Sequence, residues 1–569
     1  MKWISKHIYW MILTVFLGTI SIYGLSKTTE EGLHFYVWNE RSNAKIEVYT
    51  SEDGCSYVFL PSYAEMDQVT VAFSNRKRLV LGNKELANGS TCGAFALNQE
   101  YAFQIGNEEG TIQFRKSANL PTLYIDTVSG SMEGVYADKE NEESASITLY
   151  SAEGFVEYRD GSCILKGRGN STWRQPKKPF LLKLSDQVEL LNMGEDSEWI
   201  LLANYSDESN LHNKLVFDMA DQICEAWTPK CEFVDLYLNG QYNGLYLLAE
   251  KVESGVNRID MDTDAGDFLC SVDFSIRTET LENPFCTEYG RTIAICEPND
   301  LSKEAKLRII DLVNQQERIL LSQEDIVDSQ LVDIDSWVRK YLIDEIAGNT
   351  DADLSSSYFY YSDGVFHGGP VWDYDIAFGN TIQNHYPKAL IAKNYTKYED
   401  FVSVYYSALF DNVSFVKRLT EIYENEFLPV LNKMIDHDIQ NTAEQIAVAE
   451  TLNRIRWPIQ TEDPITDPWG RYVNTADAII RYVSEKTKML SGMLIDGVPY
   501  CTVQFEHPAT YHYWAVSVPR GSILANTDVV DEPLYEEVHG ITWYIDGTDD
   551  MFVPDEPILE DMVLRRERR

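Results

Sequence analysis

The stretch GNTDADLSSSYFYYSDGVFHGGPVWDYDIAFGN, residues 348–380, constrains the fold more than any other part of the chain. It reads as a helix exit, an acidic loop, a β-hairpin and a second acidic turn. Before it, DSWVRKYLIDEIAG (335–348) sets Val338, Tyr341, Leu342 and Ile346 at helical spacing. Asp335 is the expected cap at the start of that helix and Gly348 the residue that ends it. SSYFYY follows as a β-rich run, Ser362-Asp363-Gly364 as turn chemistry and Val365-Phe366-His367 as the return strand. A tight hairpin brings its two ends together, so Asp351 and Asp353 should approach Asp373 and Asp375. Carboxylates in that layout suit a divalent cation and a base for a hydroxyl nucleophile. A hairpin with solvated acids, or a structural calcium loop, would use the same residue types.

Ninety acidic residues against 48 basic ones give a net charge of −42 over 569 residues. Such a field disfavours binding to nucleic acid and to anionic lipid, and it favours cations. An apolar share of 44% with 12% aromatic residues describes a folded chain, long enough for two to four domains. At the N-terminus, Lys2 and Lys6 precede an uncharged apolar segment, residues 8–25, and Lys27 follows it. No small-residue cleavage motif comes after it. The expectation is an uncleaved signal anchor with a cytoplasmic N-terminus; a cleaved signal peptide is the alternative. Either places the remaining chain outside the cytoplasm, anchored to the cell membrane or secreted. Of nine cysteines, Cys55 with Cys92 and Cys224 with Cys231 are candidate disulfides. Burial as small apolar residues is the alternative.

Four segments follow from the patterning: residues 1–30 as the anchor, 31–115 as a small β-rich module, 116–496 as the main domain and 497–569 as a β-rich C-terminal module. Within 116–496, strands dominate to about residue 255, with one helix near 209–226. Helices dominate 301–348 and recur from 380 to 494. A strand-rich portion followed by a helix-rich one packs naturally as two lobes around a cleft.

The strand-rich portion carries its own motifs. LKGRGNSTW (165–173) ends a strand in a Gly-rich turn with Arg168 between two glycines. Glycines let backbone N–H groups approach phosphate oxygens, and an arginine can pair with them in bidentate fashion. A plain turn would use the same residues, and the pattern is not a Walker A loop. Lys178 and Lys183 flank the next apolar strand, where a lysine can hold nucleotide phosphates; a solvent-facing lysine is the plainer reading. Asp207 or Ser209 can cap the following helix. VDLYLNGQYNGLYLLAEKVE (234–253) is a hairpin turning at Asn239-Gly240 or Asn243-Gly244. Its Glu250 ends an apolar run and needs a partner if buried: a phosphate-binding lysine, or the wall of a nucleotide pocket.

In order, KGRGNSTW, PKKPFLLKL, W-x-L-L-A-N-Y-x-D with N-K-L, NGQYNGLYLLAEKVE, GNTD and GPVWDYDIAFGN resemble the spore-coat-protein-H (CotH) kinase family over residues of about 120–495. The resemblance implies an α+β fold: a bilobal, atypical protein-kinase-like core, here flanked by small all-β modules. It implies transfer of the γ-phosphoryl group of ATP to Ser or Thr of a protein, with Mg²⁺ or Mn²⁺. Asp351 then matches the catalytic-loop aspartate that orients or deprotonates the acceptor hydroxyl. Asp373 matches the metal-binding aspartate, with Asp375 assisting. Arg168, Lys178 and Lys183 fall in the nucleotide-phosphate region, and Glu250 matches a characteristic family acid.

Two positions depart from the pattern. Ser356 stands five residues after Asp351, where ordinary protein kinases carry a metal-binding Asn, and His212 stands where the family usually has Arg. They motivate a second reading, a kinase-like surface-binding or envelope-assembly protein without catalysis. A third, calcium-dependent carbohydrate or envelope binding, rests on the acidic composition and the Asp-rich turns. In the tail, VPRGSIL, ITWYIDGTDDMF and DMVLRRER are similar to the Listeria–Bacteroides repeat, a small β-rich module of bacterial surface proteins.

Overall fold

Seven strands between residues 122 and 250 close into a barrel, and the acidic hairpin belongs to a separate six-stranded sheet. The computed structural model describes residues 32–39, 42–74, 76–224, 226–274, 278, 281–380, 387–393, 404–458, 475–506, 513–527 and 542–565. The expected N-terminal anchor lies outside the described residues. Among those described, no helix is long and apolar enough to cross a membrane.

Around the barrel, Thr122–Thr127, Glu142–Tyr150, Val156–Gly167, Phe180–Val188, Asp196–Leu202, Gln241–Glu250 and Cys231–Leu238 are neighbours in that order. Parallel pairing of Leu123 with Leu236 closes the ring. Alternate residues face inward, so Leu149, Leu165, Phe180, Leu182, Trp199, Leu236 and Leu248 fill the interior. Trp199 is fully buried there, and truncating such a residue costs about 3–5 kcal/mol. The hairpin that completes the barrel turns at Asn239 (φ +50°) and Gly240 (φ +81°), the backbone a two-residue primed turn requires.

The opposite faces of the same strands serve the second core. Phe233, Leu245, Leu247 and Ala249 pack with the helix His212–Ile223 and the helix Ile334–Ala347. Nearly all of Ile334–Ala347 is buried, so its polar side chains must be satisfied internally. Arg339 pairs with Glu426, Lys340 with Asp344, and Glu345 with Lys486. The helix is capped by Asp333, which accepts from Ser336 N, and not by Asp335. Asp335 instead receives both Arg418 Nε and Nη2 at 2.7 and 2.6 Å. Gly348 ends the helix in the left-handed region, φ +63°.

Beyond this helix, Ser357–Ser362 and Val365–Gly368 form the expected hairpin, with Asp363 and Gly364 at positive φ. It joins a six-stranded sheet containing Phe268–Asp273 and Thr292–Glu297. Thr475 caps the last long helix, Ala476–Leu494. The N-terminal β-sheets share a core that continues onto the barrel through Tyr124, Tyr150, Tyr237 and Tyr242. There the Phe59 ring lies tilted against Tyr242 at 4.7 Å, and Tyr237 Oη donates to the carbonyl of Phe59. After residue 500 a four-stranded sheet has its own core around Val503, Phe505, Trp543 and Leu564. All nine cysteines are free thiols, so neither expected pairing forms.

Candidate functional site

Two loops meet at the end of the Ile334–Ala347 helix, and one buried carboxylate organises both. Asp344 pairs with Lys340 Nζ at 2.8 Å and accepts from Tyr406 Oη. Its other oxygen accepts from Tyr374 Oη at 2.6 Å and from Asn349 Nδ2 at 3.3 Å. Asn349 in turn receives Asp351 N at 3.1 Å. One side chain thus fixes the loop bearing Asp351 and the turn Trp372-Asp373-Tyr374-Asp375. Phe378 N donates to Ala347 O at 2.7 Å, which ties the far end of that turn back to the helix.

The backbone here is held in a costly shape. Asp353, Ser356, Asp373 and Phe378 all have φ between +50° and +70°. For a non-glycine residue this costs about 1–2 kcal/mol each, and it persists where surrounding contacts over-determine it. Several such contacts are present. Ser356 Oγ donates to Asp373 Oδ2 at 2.9 Å. Asp353 is buried, its carboxylate accepting Tyr405 N at 2.7 Å and its carbonyl accepting from Arg291. Asp353 is therefore a holder of the loop and is turned away from the chemistry its neighbours suit.

The turn is also pinned from the other side. Asn213 accepts from Tyr374 N at 2.8 Å, and the carbonyl of Asp375 receives His212 Nδ1 at 3.1 Å and Asn380 Nδ2 at 2.9 Å. A carbonyl only accepts, so Nδ1 of His212 carries the proton. His212 is fully buried, with Nε2 3.5 Å from Asp207 Oδ1. Asp207 also accepts Ser209 N, Ser209 Oγ and His212 N, the last from the first residue of the His212–Ile223 helix, whose N-cap is Leu211 with no side-chain cap bond. Neither Asp207 nor Ser209 is the cap expected from the sequence: the helix starts after Leu211, and Asp207 sits beside Asp375 instead.

Electrostatically the site carries excess negative charge. Burial pushes the Asp375 carboxyl well above the usual range, and the neighbouring Asp373, Asp207 and Asp351 push it further. Arg168 reaches this cluster from the Gly-rich turn, its guanidinium 5.2 Å from the Trp372 ring. Burial lowers its pKa, opposed by Asp373, Tyr358 and Asp375. One guanidinium against these carboxylates leaves a deficit that a divalent cation would fill. Among the described residues no three His, Cys, Asp or Glu side chains form a ready-made metal cage. Mg²⁺ binds through one or two carboxylates and completes its octahedron with water and phosphate oxygens. Asp373 and Asp375 are the residues that would hold it.

The turn that delivers Arg168 needs its first glycine for space. A Cβ on Gly167 would lie 2.5 Å from the Trp173 ring and 2.8 Å from the Cα of Lys139. Gly169 has φ +81°, which favours glycine directly.

Four of the expected site residues, Arg168, Asp351, Asp373 and Asp375, lie within one electrostatic neighbourhood. The other three have different partners. Lys178 Nζ donates to Trp173 O at 2.5 Å and lies 5.2 Å over that ring. Lys183 faces outward from the barrel, opposite Glu198 on the next strand at 3.7 Å. Glu250 is buried against Arg258 Nη1 at 2.8 Å and Lys230 N at 3.0 Å, so its partner is an arginine and not a phosphate-binding lysine.

The lysine that points inward is the neighbour of Lys178 within PKKPFLLKL. Lys177 is buried, gives its Nζ protons to Ala203 O at 2.8 Å and to Leu245 O, and sits 4.5 Å over Tyr246. Burial pushes its pKa down to about 7. Its partners are both carbonyls, so it ties two strand ends together. In the sequence, PKKP offered two adjacent lysines and no way to tell which faced in.

Barrel, acidic hairpin and arginine-bearing glycine turn together define a mixed α+β protein with one strongly acidic site. Residues 165–490, more than half the chain, match the family described as CotH kinase protein. The chain belongs to the CotH kinase family. No curated protein matches it.

Proposed function

We propose that this chain is a protein-kinase-like phosphotransferase that moves the γ-phosphoryl group of ATP to a Ser or Thr hydroxyl of a surface or secreted protein. The barrel and the helical portion are its two lobes, residues 116–496 its catalytic unit. The observation that carries the reading is the meeting of Asp351, Asp373, Asp375 and Arg168 at two loops fixed by Asp344. Phosphoryl transfer asks a protein mainly for positioning and charge neutralisation. Asp351 accepts the proton of the acceptor hydroxyl as its oxygen bonds phosphorus and the bond to the ADP oxygen breaks. Asp373 and Asp375 would hold Mg²⁺ or Mn²⁺, which neutralises phosphate charge when bound. Arg168 faces the same phosphates. Ser356 orients Asp373 through the hydrogen bond already formed.

The same reading places the enzyme outside the cytoplasm, held at the membrane by residues 8–25. A second reading, a surface-binding protein that has lost transfer, rests on Ser356: its hydroxyl is spent on Asp373 where ordinary kinases offer a metal-binding Asn. The test is ATP binding and ³²P incorporation by the full chain with Mg²⁺ or Mn²⁺, beside Asp351→Asn and Asp373→Asn. Metal-dependent incorporation lost in both variants establishes the kinase. A folded wild type that binds no nucleotide rejects it and leaves the second reading.

A further inference from the structure

The C-terminal sheet lies outside the family match, yet it is bonded to the chain just beyond the acidic turn. Tyr513–Pro519 is an edge strand of that sheet, paired on one side with Tyr500–Glu506. Its free edge is taken by residues 388–390. Ser517 N donates to Lys388 O at 2.7 Å, and Ser517 Oγ accepts from Leu390 N at 3.3 Å. Ser517 is buried and its hydroxyl also meets Thr502 Oγ1 at 2.8 Å, so it is fixed by its own sheet.

The same short stretch is bonded on its other side to the second core. Lys388 Nζ pairs with Glu485 at 3.2 Å. Lys486 Nζ donates to Ala389 O and to Glu345 Oε1, the latter at 2.8 Å. The other Glu345 oxygen accepts Ile391 N at 2.9 Å and Tyr341 Oη at 3.0 Å. Glu345 and Lys486 are both buried to within 1%. Glu345 lies in the last turn of the helix whose exit loop carries Asp351. Residues 388–391 are thus clamped between the tail sheet and the base of the candidate site.

We propose that the C-terminal β-module is a working part of the phosphotransfer unit: Ser517 positions residues 388–391, and through them Glu345 and the Asp351 loop. The chemical consequence rests on the kinase reading above. In protein kinases the chain following the metal-binding loop is where activation is controlled, by contacts that order it. Here an edge strand in cis supplies that contact by adding to the segment's backbone. Ser517, Glu345 and Lys486 are positioning residues, because none of them touches the acidic cluster.

The test uses the full chain with Ser517→Pro and Ser517→Ala, read by hydrogen exchange, ATP affinity and phosphate transfer to casein. Proline removes the N–H given to Lys388; that N–H faces away from the neighbouring strand, where an edge position tolerates proline. In Ser517→Pro the bonds to Lys388 O and from Leu390 N are both lost, so exchange over residues 387–391 should quicken by about tenfold or more. Exchange over 345–355 should quicken with it. ATP affinity should stay unchanged while transfer falls by about fivefold or more, since misplacement alone slows such reactions. Ser517→Ala should give the same pattern in smaller size, and it carries the test if the proline variant does not fold. Loosening of 387–391 with 345–355 and transfer both unchanged overturns the proposal. If the wild type binds no ATP, the kinase reading falls, and exchange over 345–355 alone decides whether the tail positions the loop.

Discussion

Lys177 offers the sharpest test of how this site is built. Its ammonium is buried among carbonyls and an aromatic ring, and its pKa falls from an ordinary 10.5 to about 7. Between those values the unfolded chain holds a proton that the folded one lacks. Stability therefore rises with pH through that window, by about 1.4 kcal/mol per unit. Lys177→Met keeps the side chain's length and apolar bulk, removes the proton and forfeits the bonds to Ala203 and Leu245. Because the group is half titrated at pH 7, the wild type should gain about 2.3 kcal/mol on the variant from pH 7 to pH 9. Below pH 7 the difference between the two should level off. The assay is urea unfolding followed by tryptophan fluorescence, with Trp199 inside the barrel as a reporter. The comparison is made at pH 6, 7, 8 and 9, with the denaturant slope checked for constancy. A difference that stays flat from pH 7 to pH 9 would refute the argument. It would mean that the two carbonyls and the Tyr246 ring keep Lys177 charged in the fold.

Three further outcomes follow from the same geometry. Gly167→Ala drives a Cβ against the Cα of Lys139 and the Trp173 ring, and overpacking of this kind costs about 1–3 kcal/mol; thermal unfolding should show the loss, and ATP affinity should drop as Arg168 shifts. Tyr374→Phe removes a 2.6 Å donor from the Asp344 carboxylate, worth about 1.5–3 kcal/mol, and should lower both the urea midpoint and phosphate transfer. Asp375→Asn removes a carboxyl whose pKa is raised by burial and by Asp373, Asp207 and Asp351. Such a carboxyl loses stability as pH rises above its ordinary 3.8, so without metal the variant should match or exceed the wild type at pH 7. The thermal shift produced by Mg²⁺ should shrink in it, and an undiminished shift would remove Asp375 from the metal site.

Much of the site's frame was legible because it is local. The hairpin at Asp363-Gly364 and the turn at Asn239-Gly240 follow from the positive φ such turns demand, and Gly348 from the helix end it closes. The helix cap was misread by two residues. Asp333 and Asp335 are equally good capping side chains, and the choice fell to the long-range pair between Asp335 and Arg418. The site's supporting residues were less legible. Asp344 looks like any acid on a helix, and its hub role exists only because Tyr374 and Tyr406 arrive from distant segments.

By itself the sequence determined the order of the chemistry: a glycine turn with Arg168, then Asp351, then Asp373 and Asp375, each set by neighbours a few residues away. Only the tertiary structure decided which polar groups face one another. Strand alternation in the closed barrel set Lys183 outward, while Lys177, just before that strand, turned inward onto Ala203 O and Leu245 O. Tertiary packing joined Glu250 to Arg258, Asp207 to the Asp375 cluster, and Ser517 to residues 388–390. A buried charge or backbone group must find a partner, whether 8 residues away, as for Glu250 and Arg258, or 127, as for Leu390 and Ser517, and folding decides which one is within reach.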